Sequence, residues 1–248
     1  MWRGGRGDGY RRCMTPTWLD HALVLCFAVL LPLRGATIGY RRLVATNGAA
    51  SARQRFYRQT LLLHGVMLVA TLTVWFVADR SWSQLGLGVG DPWRLMIGLA
   101  AAFVTLWLHY YQGFAAQRRG NMHAAQAARL GRVSPLMPRT RNELDVFILL
   151  VLLAAVSEEV MFRGFLTAYL QSYAPLLVAS IVSVLVFALG HLYQGAKGVA
   201  TTAVIGTVCM IFYLSTGSLW PSILLHGGLN FVSAHIGHAI VRAMPRAQ

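Results

Sequence analysis

Residues 146–170 read VFILLVLLAAVSEEVMFRGFLTAYL, an apolar run whose charged residues, Glu158, Glu159 and Arg163, sit at its centre. A helix of this length covers the roughly 30 Å of a bilayer's hydrocarbon, which takes about 20 residues. The same kind of run recurs near 60–78, 95–113, 175–192, 197–216 and 219–241, with a doubtful shorter one at 17–33. Each should be a helix, because backbone facing lipid must satisfy its hydrogen bonds within its own segment. The expected fold is therefore all-α, a polytopic membrane helical bundle of six to eight transmembrane helices.

Composition agrees. The 248 residues are 56% hydrophobic and 12% charged, with a mean hydropathy of +0.53, whereas a soluble domain carries about one quarter charged residues. The formal charge of +14 would fit nucleic acid, but the basic residues lie in the connections between apolar runs. That distribution reads as membrane topology, so no nucleic-acid partner is expected. The single lysine, Lys197, reflects the composition of the genome and carries no functional reading. Cys13, Cys26 and Cys209 form no C-x-x-C pair, which leaves neither a disulfide framework nor a thiolate metal site. The basic N-terminus before residues 22–33 loosely resembles a signal peptide, but Asp20 interrupts it and no small-residue cleavage site follows, so the segment is expected to be retained.

Two connections are rich in arginine. The first holds Arg34, Arg41, Arg42, Arg53, Arg55 and Arg58, the second Arg118, Arg119, Arg129, Arg132, Arg139 and Arg141, and neither has an acid before Glu143. The connection between them, from Asp79 to Arg94, is charge-balanced. The positive-inside rule puts the two arginine loops in the cytoplasm and the C-terminus, with Arg242 and Arg246, on the same side of a multi-pass cell membrane protein. The segment 17–33 breaks this pattern, because Arg3, Arg6, Arg11 and Arg12 precede it; it either crosses or lies in the interface. Seven tryptophans, Trp75, Trp93 and Trp220 among them, fall mostly near span ends as an aromatic belt does. Residues 1–140 form an N-terminal membrane region with basic loops and no assigned motif, and 141–242 a catalytic membrane core of three to four helices.

Three glutamates and five aspartates serve the whole chain, and two of those glutamates are adjacent inside an apolar helix. An ionisable group at mid-bilayer costs at least ~2.5 kcal/mol on insertion scales, so it marks a functional site by default. The bland alternative is a helix that ends near Ser157 with both acids at the interface. On a helix Glu159 and Arg163 are four apart and can pair, while Glu158 is turned about 100° away and must face something else. A carboxylate without a cation partner can serve as a base, which makes Glu158 the candidate.

The next helix carries Phe187-Ala-Leu-Gly-His191 and the last His226-Gly-Gly-Leu-Asn230, both pairs spaced to share one helix face. A lone histidine near a helix end, as His191 is, is more often interfacial or packed than catalytic. His226 with Asn230 is harder to explain that way, since two polar groups on one intramembrane face need partners and Gly227 and Gly228 let backbone approach. His64, His109, His235 and His238 read as residues satisfied by neighbours.

Glu158-Glu159-x-x-x-Arg163, Phe187-x-x-x-His191 and His226-x-x-x-Asn230, in that order on three apolar helices, resemble the CPBP family of intramembrane proteases. The family includes the CAAX prenyl endopeptidases and their bacterial relatives. The likeness covers about 140–240 and extends to Phe162-Arg163-Gly164-Phe165-Leu166 and Gly217-Ser218-Leu219-Trp220-Pro221. It implies a glutamic-type endopeptidase in which Glu158 and His191 activate a water while His226 and Asn230 stabilise the oxyanion. No cofactor is implied. The implied substrate is a membrane-bound or lipid-associated protein or peptide, and the implied location, for a bacterial relative, the cell inner membrane.

Two other readings stay open: a zinc hydrolase using two histidines and a glutamate, although H-E-x-x-H is absent, and a proton-coupled transporter or non-catalytic partner, although no inverted repeat is visible. Straight, fully crossing helices would leave His191 at a different depth from Glu158 and His226. Tilted or broken helices are therefore expected around the site.

Overall fold

Thr140 and Glu143 start the helix that carries the glutamates. Thr140 Oγ1 accepts from the Glu143 N–H at 3.2 Å, and Glu143 Oε2 accepts from the N–H groups of Thr140 at 3.3 Å and Arg139 at 2.7 Å. This reciprocal cap satisfies donors that the first helical turn leaves free, and it starts the helix at Arg141, ahead of the apolar run. Arg53 completes the corner, donating from Nη2 to Glu143 Oε1 at 2.8 Å and from Nη1 to the Gly48 carbonyl. Both partners are buried. Burial raises the Glu143 pKa, but the Arg53 guanidinium and the backbone N–H donors outweigh it and hold the carboxyl below its usual range.

The structure, a computed structural model, describes residues 14–30, 38–46, 48–118 and 130–244. Arg3, Arg6, Arg11, Arg12, Cys13, Arg34, Arg119, Arg129 and Arg246 lie outside these. The described residues form helices and connections without a strand. In chain order the α-helices are α1 (Trp18–Val24, running on as π-helical Leu25–Leu30), α2 (Tyr40–Ala45), α3 (Ala50–Val77), α4 (Pro92–Arg118), α5 (Arg141–Glu158), α6 (Thr167–Leu170), α7 (Leu176–Leu189), α8 (Gly195–Thr216) and α9 (Trp220–Ala243). A π-helical stretch, Glu159–Leu166, joins α5 to α6, so one rod runs from Arg141 to Leu170.

The described residues form the expected all-α bundle, and three of its helices meet the length and composition of a membrane span. α3, residues 92–112 of α4, and 192–216 around α8 are long and apolar enough to cross a bilayer. α7 is apolar but only 14 residues long, and α9 is diluted by three histidines, Asn230 and two serines. α3 also starts ten residues before the apolar run that announced it, because Ala50–Gln59 is polar on sequence yet helical. Arg53, Arg55 and Arg58 therefore stand on a helix, and Arg53 is buried against Glu143.

α9 packs on α5 and α4, α3 packs on α5, and α8 packs on α7 and α9. One apolar cluster surrounds the π-helical stretch and includes Phe27, Trp75, Phe162, Phe165, Phe187 and Leu219; a second joins Leu43, Tyr57, Leu144, Phe147 and Ala234. Both draw on residues from either side of residue 140. Asp20 is fully buried in an ion pair with Arg80, 2.7 Å away on the connection after α3. Phe76, Trp93, Phe103 and Leu177 are among many large apolar side chains left on the outside, as a lipid-facing surface requires.

Candidate active site

The π-helical stretch begins at Glu159, directly after Glu158. Such a widened turn leaves the regular i→i+4 ladder, and the Phe162 carbonyl accepts instead from Thr167 Oγ1 at 3.0 Å and Ser183 Oγ at 2.6 Å. Side-chain hydroxyls from the rod itself and from α7 thus hold the widened turn open.

Glu159 and Arg163 are both fully buried, with Glu159 Oε1 3.1 Å from Arg163 Nη1. The guanidinium also donates from Nη2 to the Gly206 carbonyl at 3.1 Å and lies over the Phe187 ring, 4.1 Å from its centroid. The aromatic face and the carbonyl acceptor replace part of what water would supply to a buried charge, while Arg163 Nε and Glu159 Oε2 have no hydrogen-bond partner among the described residues. Gly206 has a reason to be glycine: a Cβ there would stand 3.0 Å from both Arg163 Nη2 and the Phe187 ring.

His226 reaches across from α9. Its Nδ1 is 2.8 Å from Glu159 Oε1, and its Nε2 is 3.7 Å from Glu158 Oε2. Because Glu159 beside Arg163 is an ionised acceptor, the Nδ1 of His226 carries the hydrogen. Four residues on, Asn230 Nδ2 donates to the Val151 carbonyl of α5 at 3.3 Å, so His226 and Asn230 both face α5.

His191 lies beyond the end of α7, in the turn before Leu192–Gln194, and not on the helix where the spacing put it. The i, i+4 relation to Phe187 survives locally: Nδ1 of His191 donates to the Phe187 carbonyl at 3.0 Å and the two rings meet edge to face at 5.0 Å. Phe187 also touches the His226 ring, with centroids 5.8 Å apart. Glu158, partly accessible at 14%, is close enough to His191, His64 and His226 for each to act on it electrostatically. His64 was read as a packed bystander. It stands at the middle of α3, with Nε2 3.8 Å from Glu158 Oε1. The sequence signal was an imidazole in an apolar helix, which by itself does not distinguish a ring satisfied by its neighbours from one that meets Glu158.

His235 and His238 turn away from this cluster, bonding the carbonyls of Phe231 and Pro138 at 2.9 and 2.8 Å. Among the described residues, no group of three or more His, Cys, Asp or Glu side chains is arranged to hold a metal ion.

Residues 140–232 match the family model described as type II CAAX prenyl endopeptidase Rce1-like. This segment is Rce1-like. The match agrees with the likeness carried by the three motifs, and Glu158, Glu159, Arg163, His191, His226 and Asn230 all lie inside the Rce1-like segment. The description likens this segment to prenyl endopeptidases. No curated protein and no solved structure matches the chain. His64 stands outside the Rce1-like segment.

Proposed function

We propose that the chain is an intramembrane endopeptidase that hydrolyses a peptide bond of a membrane-associated protein or peptide precursor with a water activated by Glu158. The observation that carries this reading is the position of Glu158: next to a carboxylate–guanidinium pair, yet itself facing the imidazoles of His64 and His226, with no Lys or Arg within ion-pair distance among the described residues.

Glu158, Glu159 and Arg163 together carry one net negative charge. A proton on His226 brings the group to neutrality and leaves Nε2–H as a donor, with Nδ1–H fixed by Glu159. Glu158, with His191 beside it, takes a proton from water as the oxygen attacks the carbonyl carbon; the carbonyl electron pair moves onto oxygen, where Nε2–H of His226 and the second amide hydrogen of Asn230 receive it. Collapse breaks the C–N bond and the proton on Glu158 goes to the leaving nitrogen. Donors fixed in advance, in a low-dielectric site, stabilise charge that develops only in the transition state.

The test compares membrane proteomes by mass spectrometry with the wild-type chain and with Glu158→Gln, which keeps shape and removes the base. A fragment pair present only with Glu158 intact is expected, with equal membrane insertion of both forms. Equal fragments from the Gln variant would remove Glu158 from the role of base. Chelator titration of the purified protein separates a zinc-dependent hydrolase, whose activity would fall and return with zinc.

A further inference from the structure

Ser157 immediately precedes the glutamate pair, and its hydroxyl donates to the Ala154 carbonyl at 3.0 Å. With its one hydrogen committed there, the oxygen can only accept, and the group 2.7 Å away is Nδ1 of His64. That assigns the His64 hydrogen to Nδ1 and leaves Nε2 as a bare acceptor. Nε2 is the atom that faces Glu158 Oε1 at 3.8 Å.

A carboxylate and a bare ring nitrogen have no attraction for one another until a proton arrives. Once Glu158 has taken a proton from water, however, it carries an O–H that needs an acceptor, and an unsatisfied donor in a buried site is costly. His64 Nε2, 3.8 Å away, is the facing acceptor and comes within hydrogen-bond distance if the two groups close by less than about 1 Å. The ring is held at its other end, and a Cβ placed on Gly65, the next residue on α3, would stand 3.8 Å from the Leu153 side chain, so α3 runs close to the rod here.

We propose that His64, contributed by a helix outside the Rce1-like segment, is a positioning residue that accepts a hydrogen bond from Glu158 while that carboxyl carries the proton taken from water. The inference rests on Glu158 acting as the base. His64 neither touches the substrate nor takes the proton for good: the proton stays on Glu158 Oε1, bonded toward Nε2, until it leaves for the amine nitrogen. Ser157 fixes the ring orientation on which this depends. The titratable or charged groups that bear on His64 are Glu158 on the glutamate rod, His191 after α7 and His226 on α9.

Two measurements test it. In protein labelled with 15N at histidine and held in lipid nanodiscs, His64 is expected to show a protonated Nδ1 and an unprotonated Nε2. Glu158→Gln, which presents an amide N–H in place of the carboxylate, is expected to move the Nε2 resonance into the hydrogen-bonded range, and Ser157→Ala to abolish the single tautomer. An Nε2 resonance that Glu158→Gln leaves unmoved overturns the proposal, and it does so whether or not the protein is a protease.

In the cleavage assay, using the membrane peptide whose fragments the comparison of proteomes identifies, His64→Phe is expected to lower kcat by roughly 100-fold with KM within about twofold. His64→Gln, whose side-chain carbonyl can accept the same bond, recovers part of the loss. A merely packed ring would be served by Phe, so full turnover in His64→Phe with an inactive Glu158→Gln overturns the role of His64 alone. Full turnover in Glu158→Gln overturns the base assignment instead.

Discussion

His226 Nδ1 and Glu159 Oε1 lie 2.8 Å apart, joining the last helix to the carboxylate that Arg163 neutralises. Glu159 therefore has two tasks: it is the counter-charge of Arg163 and the orienting group of His226. Adjacent glutamates in one sequence end in separate environments because the helix turn sends one toward the guanidinium and the other toward the rings of His64 and His226.

Arg163→Ala should destabilise the protein as well as inactivate it. The change leaves Glu159 charged and fully buried, and breaking such a pair costs about 3 to 5 kcal/mol. Thermal unfolding in detergent should show a clear fall in Tm. Arg163→Lys should rescue little, since an ammonium cannot at once reach Glu159 and the Gly206 carbonyl and lie flat on Phe187 as a guanidinium does. An unchanged Tm in Arg163→Ala would mean that the pair is solvated.

Gly164 sits where the rod touches the connection between α3 and α4. A Cβ there would stand 2.6 Å from the Leu85 carbonyl oxygen, a backbone atom that cannot swing aside. Gly164→Ala is expected to cost about 1 to 3 kcal/mol by overpacking. Thermal unfolding reads this directly, and a variant as stable as the wild type would show that the connection yields.

Asn230→Ala should lower kcat by roughly 100 to 1,000-fold with KM little changed, the loss seen when one oxyanion donor is removed. Steady-state kinetics on the identified peptide separates the alternatives: a raised KM with kcat preserved would make Asn230 a substrate-binding residue. The Val151 carbonyl keeps one amide hydrogen of Asn230 occupied and so fixes where the other points.

What the sequence made legible was whatever lipid makes expensive. Glu158, Glu159 and Arg163 stand out because charge in an apolar helix needs a reason, and the later motifs add polar groups to the same environment. Tertiary meetings left no such trace. His64 meets Glu158 across two helices some ninety positions apart, and the pattern within either segment alone shows no sign of it. Arg53 was placed in a loop because polar residues that extend a helix past the membrane carry no apolar signal. The widened turn after Glu158 was invisible too: π-helical and α-helical segments bury the same residue types, and only the hydroxyls of Thr167 and Ser183 on the Phe162 carbonyl reveal it. The depth conflict between His191 and Glu158 was the one clue to a break, and α7 does end at Leu189, ahead of His191.

The Arg53–Glu143 corner predicts an acid-sensitive fold. The Glu143 carboxyl titrates below its ordinary value of 4.5 in the folded protein, so its contribution is complete above that value and is lost as pH falls through the folded value. Thermal stability should drop in that acid window, and Glu143→Gln, which cannot titrate, should be less stable at neutral pH and flatter below pH 4.5. Parallel profiles for the two forms would place the acid sensitivity elsewhere.

The shortness of α7 has a consequence for the bilayer itself. Fourteen residues rise about 21 Å, against roughly 30 Å of hydrocarbon. A helix too short for its membrane is accommodated by thinning the lipid around it or by drawing polar flanks inward. Leu192–Gln194 and the start of α8 follow at that end, with His191 at the junction. If α7 stands in the bilayer, lipid dipping at that end would shorten the path from bulk solvent to Glu158, and the water that the proposed hydrolysis consumes would need no pore through the protein.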